Sequence, residues 1–305
     1  LSQLLRPMEA ILAPGLAGFI VGAFGLEVVF IIDVLTFVIN ILILAIIQIP
    51  RPAQTAERSD RMKFWAELFE GFKYIKERPA FVTLISLFTL TLFLLPGMAY
   101  SLITPLVLSF DTEKTLGLIL AAYGVGSIVG GVFLASRREN LRRMNSLLAA
   151  LVVAGLATIL MGLWENPWTI GLGVFLIGLS FVFVTGLNQV IWQVKSAPEM
   201  QGRLFAILGT LAVGGQSLGI LFAGPLASRV FQPTLDPGGA LVESVGLLIG
   251  IGAGRGMAFM FILLGLIVLG LALVSWLNPS VRLLEDQLPD YEVEKILLKG
   301  TPSSL

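Results

Sequence analysis

Residues 115–164 read TLGLILAAYGVGSIVGGVFLAS, then RRENLRR, then MNSLLAALVVAGLATILMGLW. Two charge-free runs of 22 and 21 residues flank a turn that holds four arginines. A helix needs about 20 residues to cross the roughly 30 Å of bilayer hydrocarbon, and an ionic side chain at its centre costs several kcal/mol. Thr115–Ser136 and Met144–Trp164 therefore read as a pair of membrane-spanning helices. Arg137, Arg138, Arg142 and Arg143 form the turn between them at one membrane surface.

The same reading extends in both directions. Charge-free intervals run from Ala10 to Leu26, Val28 to Pro50 (interrupted by Asp33), Pro79 to Phe110, Thr115 to Ser136, Met144 to Trp164, Asn166 to Val194, Leu204 to Ser228 and Gly256 to Val281, which makes eight spans. Pro7 is tolerated in a first helical turn and lengthens the first span. The third interval is long enough for two helices, but no polar turn divides it and Pro96-Gly97 lies midway, so one kinked helix is expected. Composition agrees: of 305 residues, 56% are hydrophobic and 13% charged, about half the charged fraction of a water-soluble domain. The fold class is an all-α membrane protein, a polytopic helical bundle.

Alternating sides along eight spans places 17 of the 20 Lys and Arg on one face and leaves only Lys114, Arg229 and Arg255 on the other. Basic residues stay on the cytoplasmic side during insertion, so both termini are expected there, with the protein in the cell (inner) membrane. Acidic and basic residues balance at 20 each, which gives no reason to expect nucleic acid as a partner. The absence of Cys and His removes thiolate and imidazole chemistry and the usual zinc and haem ligands, and no cofactor is implied.

Two segments are organised without spanning. From Met62 to Glu77, Phe64, Trp65, Leu68, Phe69, Phe72 and Ile75 recur at helical spacing among charged residues, the pattern of an amphipathic helix lying on the inner surface. Between Val230 and Arg255, four-residue Asp236-Pro237-Gly238-Gly239 and the spaced Gly250, Gly252 and Gly254 predict an external loop.

The chain also repeats itself. Ala13-Pro14-Gly15-Leu16-Ala17-Gly18 in the first span and Ala223-Gly224-Pro225-Leu226-Ala227-Ser228 in the seventh occupy equivalent places ahead of an external turn and a returning aliphatic helix. If spans seven and eight end a six-helix half, spans one and two end a preceding half. The expected organisation is then 1–50 as the last two helices of that half, 51–78 as a cytoplasmic linker, 79–281 as a six-helix C-terminal half and 282–305 as a cytoplasmic tail. On this expectation the chain, which starts at Leu1, is an N-terminally truncated fragment.

Two six-helix halves joined by a basic loop resemble the major facilitator superfamily of secondary transporters. Gly130-Gly131-Val132-Phe133-Leu134-Ala135-Ser136-Arg137-Arg138 with Arg142 and Arg143 resembles that family's loop motif, with Ser136 where the family often has Asp. Ala13-Pro14-Gly15 with Gly18 and Gly22 is similar to its antiporter motif, with Ala13 in place of the first Gly. Pro198-Glu199-Met200-Gln201-Gly202-Arg203 resembles the loop of the subgroup holding macrolide and enterobactin exporters. The resemblance implies helices five to twelve of twelve, a monomer in the bilayer, a small-molecule substrate and protons as the coupling ion.

Polar residues inside spans are costly and point inward or to a water cavity. Thr185, Asn188 and Gln189 share one side of the sixth span at i, i+3 and i+4, flanked by Phe181 and Trp192. The resemblance makes this helix and the third cavity-lining, which gives Tyr100, Ser101 and Thr104 a place on a substrate pathway. Gln216 is a candidate for the cavity wall. Interhelical hydrogen bonding is the alternative for each. Asp33 is a possible proton site, against a structural hydrogen bond, because the resemblance puts its helix at the periphery and stronger coupling acids ahead of the first span. The Arg137, Arg138, Arg142 and Arg143 turn fixes topology and has the chemistry of an inner gate; Pro14, Gly15, Gly18, Gly130, Gly202 and Arg203 belong to the motifs. Gly126 with Gly130, and Gly215 with Gly219, have the spacing that lets helices pack backbone to backbone.

The leading expectation is proton-coupled efflux of a small amphiphilic molecule (a drug, siderophore or secondary metabolite) by alternating access. The membrane subunit of an ATP-driven pump is a second class; no phosphate-binding Gly-x-x-x-x-Gly-Lys-Ser/Thr loop occurs in the sequence, so the ATPase would be a separate subunit. A non-functional fragment is a third. An intramembrane enzyme is not expected, since a single Asp stands at membrane depth.

Overall fold

A computed structural model describes residues 26–46, 69–136, 142–282 and 285. The first span with Pro14, Gly15 and Gly18, the beginning of the surface helix at Phe64, Trp65 and Leu68, and Arg137 and Arg138 lie outside the described residues. The second span is a helix over Leu26–Ile46, whose Asp33 side chain also falls outside them. Its described side chains, Ile31 to Ile43, are all exposed.

Among the described residues six helices are long and apolar enough to cross a membrane: Pro79–Leu108, Glu113–Ser136, Arg143–Leu163, Pro167–Lys195, Pro198–Leu235 and Arg255–Leu277. They are the third to eighth spans. Helices are what an apolar solvent requires, because a backbone N–H or C=O left unpaired in lipid costs several kcal/mol. Pro79, Pro167 and Pro198 each stand in a first turn, where the missing N–H is no loss. The seventh helix exceeds its charge-free interval at both ends. Arg203 and Arg229 bound the apolar stretch, but charge does not end a helix once it has left the hydrocarbon.

The bundle contains an inverted repeat. The fourth span packs on the sixth and the seventh on the third; the fifth packs on the sixth and the eighth on the third; the fifth and eighth pack on each other. Exchanging spans three, four and five for six, seven and eight leaves these pairings unchanged, although the end of the seventh span also packs on the eighth without a comparable contact between the fourth and fifth. Each set has three helices, so the two sets run through the membrane in opposite senses, the nested arrangement of many transporters.

Glycines make the equivalent crossings. Gly126 and Gly130 of the fourth span lie against the backbone of Phe175 and Leu179, while Gly178 answers from the sixth against Tyr123. In the other repeat, Gly215 and Gly219 of the seventh span face Thr89, Phe93 and Gly97 of the third. Gly155 and Gly265 meet where the fifth and eighth spans cross, at the centre of the pattern. Without an aqueous driving force between helices, such close approach supplies the van der Waals attraction that holds them together. Around the crossings Phe81, Leu84, Leu106, Leu151, Ile170 and Phe261 are fully buried.

The third span departs from regular α-helix at its Pro96-Gly97 pair. A π-helical turn over Phe93–Ala99 contains Pro96, and the wider turn relieves the clash of a proline ring with the preceding turn. The external loop is more ordered than expected. Gln232 donates to Asp236 Oδ1 at 2.7 Å and to the Gly252 carbonyl at 2.9 Å, and accepts from the Gly256 N–H at 3.3 Å. Gly250, Gly252 and Gly254 take φ of 90°, 112° and 82°, which lets the chain fold back onto that side chain.

A methyl group at Gly126 would lie against the Phe175 carbonyl, whereas nothing stands within 4 Å of one at Gly131. Gly126→Ala is expected to destabilise the protein by about 1–3 kcal/mol through overpacking, while Gly131→Ala leaves it within about 0.5 kcal/mol. Thermal unfolding of the detergent-solubilised variants checks the contrast.

Candidate substrate pathway

On the third span, Val82, Ser86, Leu90, Tyr100 and Thr104 form one exposed stripe, mostly apolar before the π turn and polar beyond it. Tyr100 is 47% exposed and its ring lies 6.0 Å edge-on from that of Tyr123 on the fourth span. Ser101 is turned partly inward and donates to the Met98 carbonyl at 2.9 Å. Tyr100 and Thr104 thus stand together on the part of the helix beyond the π turn, with Ser101 beside them.

On the sixth span the expected cluster divides. Gln189 and Gln193 are exposed, with Thr185 and Phe181 half-buried beside them. The Thr185 hydroxyl donates to the Phe181 carbonyl at 2.8 Å, so its oxygen remains free to accept. Asn188 and Trp192 point the other way, with only 4% and 0% of their surface exposed. The Trp192 ring packs at 4.6 Å from Phe81 of the third span. Asn188 faces a space between the third, fifth and sixth spans, bordered by Leu84, Thr91, Leu147 and Val184 and too narrow for water. Neither Asn188 Oδ1 nor Trp192 Nε1 finds a partner among the described residues. These two are therefore buried in the bundle, apart from the exposed Gln189 and Gln193. One residue turns a helix by about 100°, and the step from Gln189 to Asn188 carries the amide from the exposed stripe to the bundle core.

Gln216 of the seventh span is exposed, beside the crossing made by Gly215 and Gly219. Between Pro79 and Phe110, and again between Asn166 and Val194, the sequence has no ionisable acid or base other than tyrosine. The exposed stripes can therefore offer aromatic faces, hydroxyls and amides, which suits neutral or weakly polar solutes.

The described motif residues sit at one end of the bundle. Gly130 lies in the fourth–sixth crossing and Gly202 is open to solvent. Arg203 pairs with Glu70 of the surface helix at 2.5 Å. Arg142 precedes the fifth helix in an extended conformation. At Arg143 the backbone N–H donates to Glu285 Oε1 at 2.7 Å, and the Glu285 carbonyl accepts from the buried Lys195 ammonium at 3.1 Å. A carboxylate at a helix N-terminus is favoured by the unpaired N–H groups and the helix dipole there. This latch ties the chain after the eighth span to the fifth and sixth. The sequence carried no sign of it, since Glu285 stands among several acids in a polar tail. The arrangement of Arg78 over Tyr74, 3.8 Å from the ring centroid, had a signal in its i, i+4 spacing.

The opposite end of the bundle has its own fastenings. Glu165 and Arg255 pair at 2.8 Å and join the fifth–sixth turn to the start of the eighth span. In the turn after the third span, the Thr112 N–H and the Thr115 hydroxyl donate to Asp111 Oδ1 at 2.6 and 2.8 Å. Those bonds, the Thr112 N–H first, hold the Asp111 carboxyl below its ordinary value.

Inverted triplets of helices joined by glycine crossings are an arrangement found in many membrane transporters. Residues 7–220 match the Major Facilitator Superfamily, and the chain belongs to that family. It is 25% identical to macrolide efflux protein A of Streptococcus pyogenes over 75% of the chain and 57% of that protein. A macrolide efflux protein A of Enterococcus faecalis is 25% identical over 72% of the chain and 68% of its own length. The multidrug efflux pump Tap of Mycolicibacterium fortuitum is 24% identical over 71% and 53% respectively. The chain thus spans little more than half the length of most of these curated relatives. No solved structure matches it.

Replacing Asn188 by Leu removes an unpaired buried amide while keeping the side-chain volume, a change that is neutral or stabilising when no hydrogen bond is lost. Asn188→Leu is expected to keep or raise the unfolding temperature and to leave transport unaltered. A variant of normal stability with selectively changed substrate affinity would place Asn188 on the pathway.

Proposed function

We propose that this chain works as part of a proton-coupled efflux transporter for small amphiphilic molecules, in which residues 79–281 form a C-terminal six-helix half that rocks against a preceding half ending in spans one and two. Residues 51–78 link the halves on the cytoplasmic side, and residues 282–305 return there as a tail. The protein is a monomer in the cell membrane. The observation that carries the reading is the pair of uncovered stripes on the third and sixth spans, one in each inverted triplet, where Tyr100, Thr104, Phe181, Thr185 and Gln189 stand in otherwise apolar helices. Aromatic faces and neutral dipoles retain a bulky, weakly polar solute without binding it too tightly to release. The macrolide and multidrug efflux relatives support the same class of substrate.

Alternating access needs each half to move as a body. The glycine crossings, the Glu285 latch and the Glu165–Arg255 pair supply that rigidity on both sides of the membrane. Protons drive export in this reading. Asp33 holds a structural place rather than the coupling site in this reading.

Cells expressing the protein are expected to expel a fluorescent amphiphile and to lose that ability when a protonophore collapses the gradient. Export that survives the protonophore and depends on ATP alone would overturn the coupling. Removing one pathway contact of about 1 kcal/mol lowers efflux about fivefold, so Gln189→Ala and Tyr100→Ala should each reduce it to that extent at unchanged membrane level. Asp33→Asn should keep most of the wild-type rate; abolished efflux with normal insertion would make Asp33 the proton carrier.

A further inference from the structure

The surface helix over 69–76 does more than connect. Glu70 holds Arg203, and a methyl group at Gly71 would meet the Ile207 side chain, so the helix is seated directly on the inner end of the seventh span. Its apolar side is nevertheless left partly open: Phe69 is 67% exposed and Phe72 46%. Together with Ile85 of the third span and Leu211 of the seventh they wall a groove of about 470 Å³ that opens to the outside. Lys73 and Lys76 line the same groove.

Depth and charge identify the occupant. Ile85 lies six residues into its span, and Leu211 eight residues beyond Arg203, so at 1.5 Å per residue the slot reaches about 10 Å below the membrane surface. That is the zone where headgroups give way to acyl chains. The walls are apolar and the rim is cationic. Among the described residues Glu70 is engaged by Arg203, and Glu77 forms a long, exposed pair with Lys73 at 3.9 Å. A cationic amphiphile is repelled by this rim, whereas an anionic headgroup is attracted by about one lysine's worth of membrane-surface binding per side chain.

We propose that this groove is a binding site for an anionic phospholipid, with the phosphate on Lys73 and Lys76 and the upper part of one acyl chain between Phe69, Phe72, Ile85 and Leu211. The lipid fills the space between the linker helix and the third and seventh spans, so it fastens the linker to the half-bundle in addition to the Glu70–Arg203 pair. The site is separate from the transport reading and stands or falls without it.

The test uses the full chain with Phe72→Trp, reconstituted in vesicles of phosphatidylglycerol and phosphatidylcholine in which one or other lipid carries brominated chains. The quenching added by the new indole, relative to the parent protein, reports which lipid occupies the groove. Phosphatidylglycerol is expected to be preferred on the order of fivefold or more. Lys73→Gln with Lys76→Gln should bring the ratio close to one, and Lys73→Arg with Lys76→Arg should keep it. Both lysines are on an exposed helix face, and circular dichroism confirms that the variants fold. An equal ratio in parent and Gln variant would overturn the site. So would an indole quenched by neither lipid, which would mean that protein covers the groove.

Discussion

Inside hydrocarbon there is no water to accept a backbone hydrogen bond, and every other feature of this molecule answers to that constraint. It makes the spans helical and sets their length, and it favours prolines in first turns, as at Pro79, Pro167 and Pro198, or within a widened turn, as at Pro96. The same absence of water removes the usual reason for helices to associate. What remains is close contact, and the glycines at the fourth–sixth, third–seventh and fifth–eighth crossings provide it by letting one backbone lie on another. The seam is repeated because the bundle is repeated: two triplets of helices of opposite sense use the same device at equivalent places.

Much of this was written plainly in the sequence. A span in lipid is recognised by a run of uncharged residues, and charge is the one property on which lipid and water disagree most strongly. The third to eighth spans followed from that property alone, and the Gly126/Gly130 and Gly215/Gly219 pairs followed from their spacing. The irregular turn at Pro96-Gly97 did so as well, because proline cannot complete a regular turn.

The rotation of each helix about its axis was harder to read. In a soluble protein an apolar stripe marks the buried face, but here lipid and core are equally apolar and the stripe disappears. The sixth span illustrates the loss. Thr185, Asn188 and Gln189 are close enough in sequence to pass for one polar face, yet the bundle buries Asn188 with Trp192 and leaves Gln189 outside. Contacts between distant segments were out of reach for a different reason. The partner of the Arg143 N–H is a single glutamate in a tail that offers several, and the attachment of the surface helix depends on where the seventh span stands relative to the linker.

The position of Glu285 also bears on how the molecule is made. It follows the eighth span, and its carboxylate and carbonyl bind the fifth helix and Lys195 at the end of the sixth. During synthesis those two partners are in the membrane well before their common ligand leaves the ribosome. The contact that joins the chain beyond the eighth span to the fifth and sixth is therefore made last, by a residue that arrives only after every helix it secures is in place.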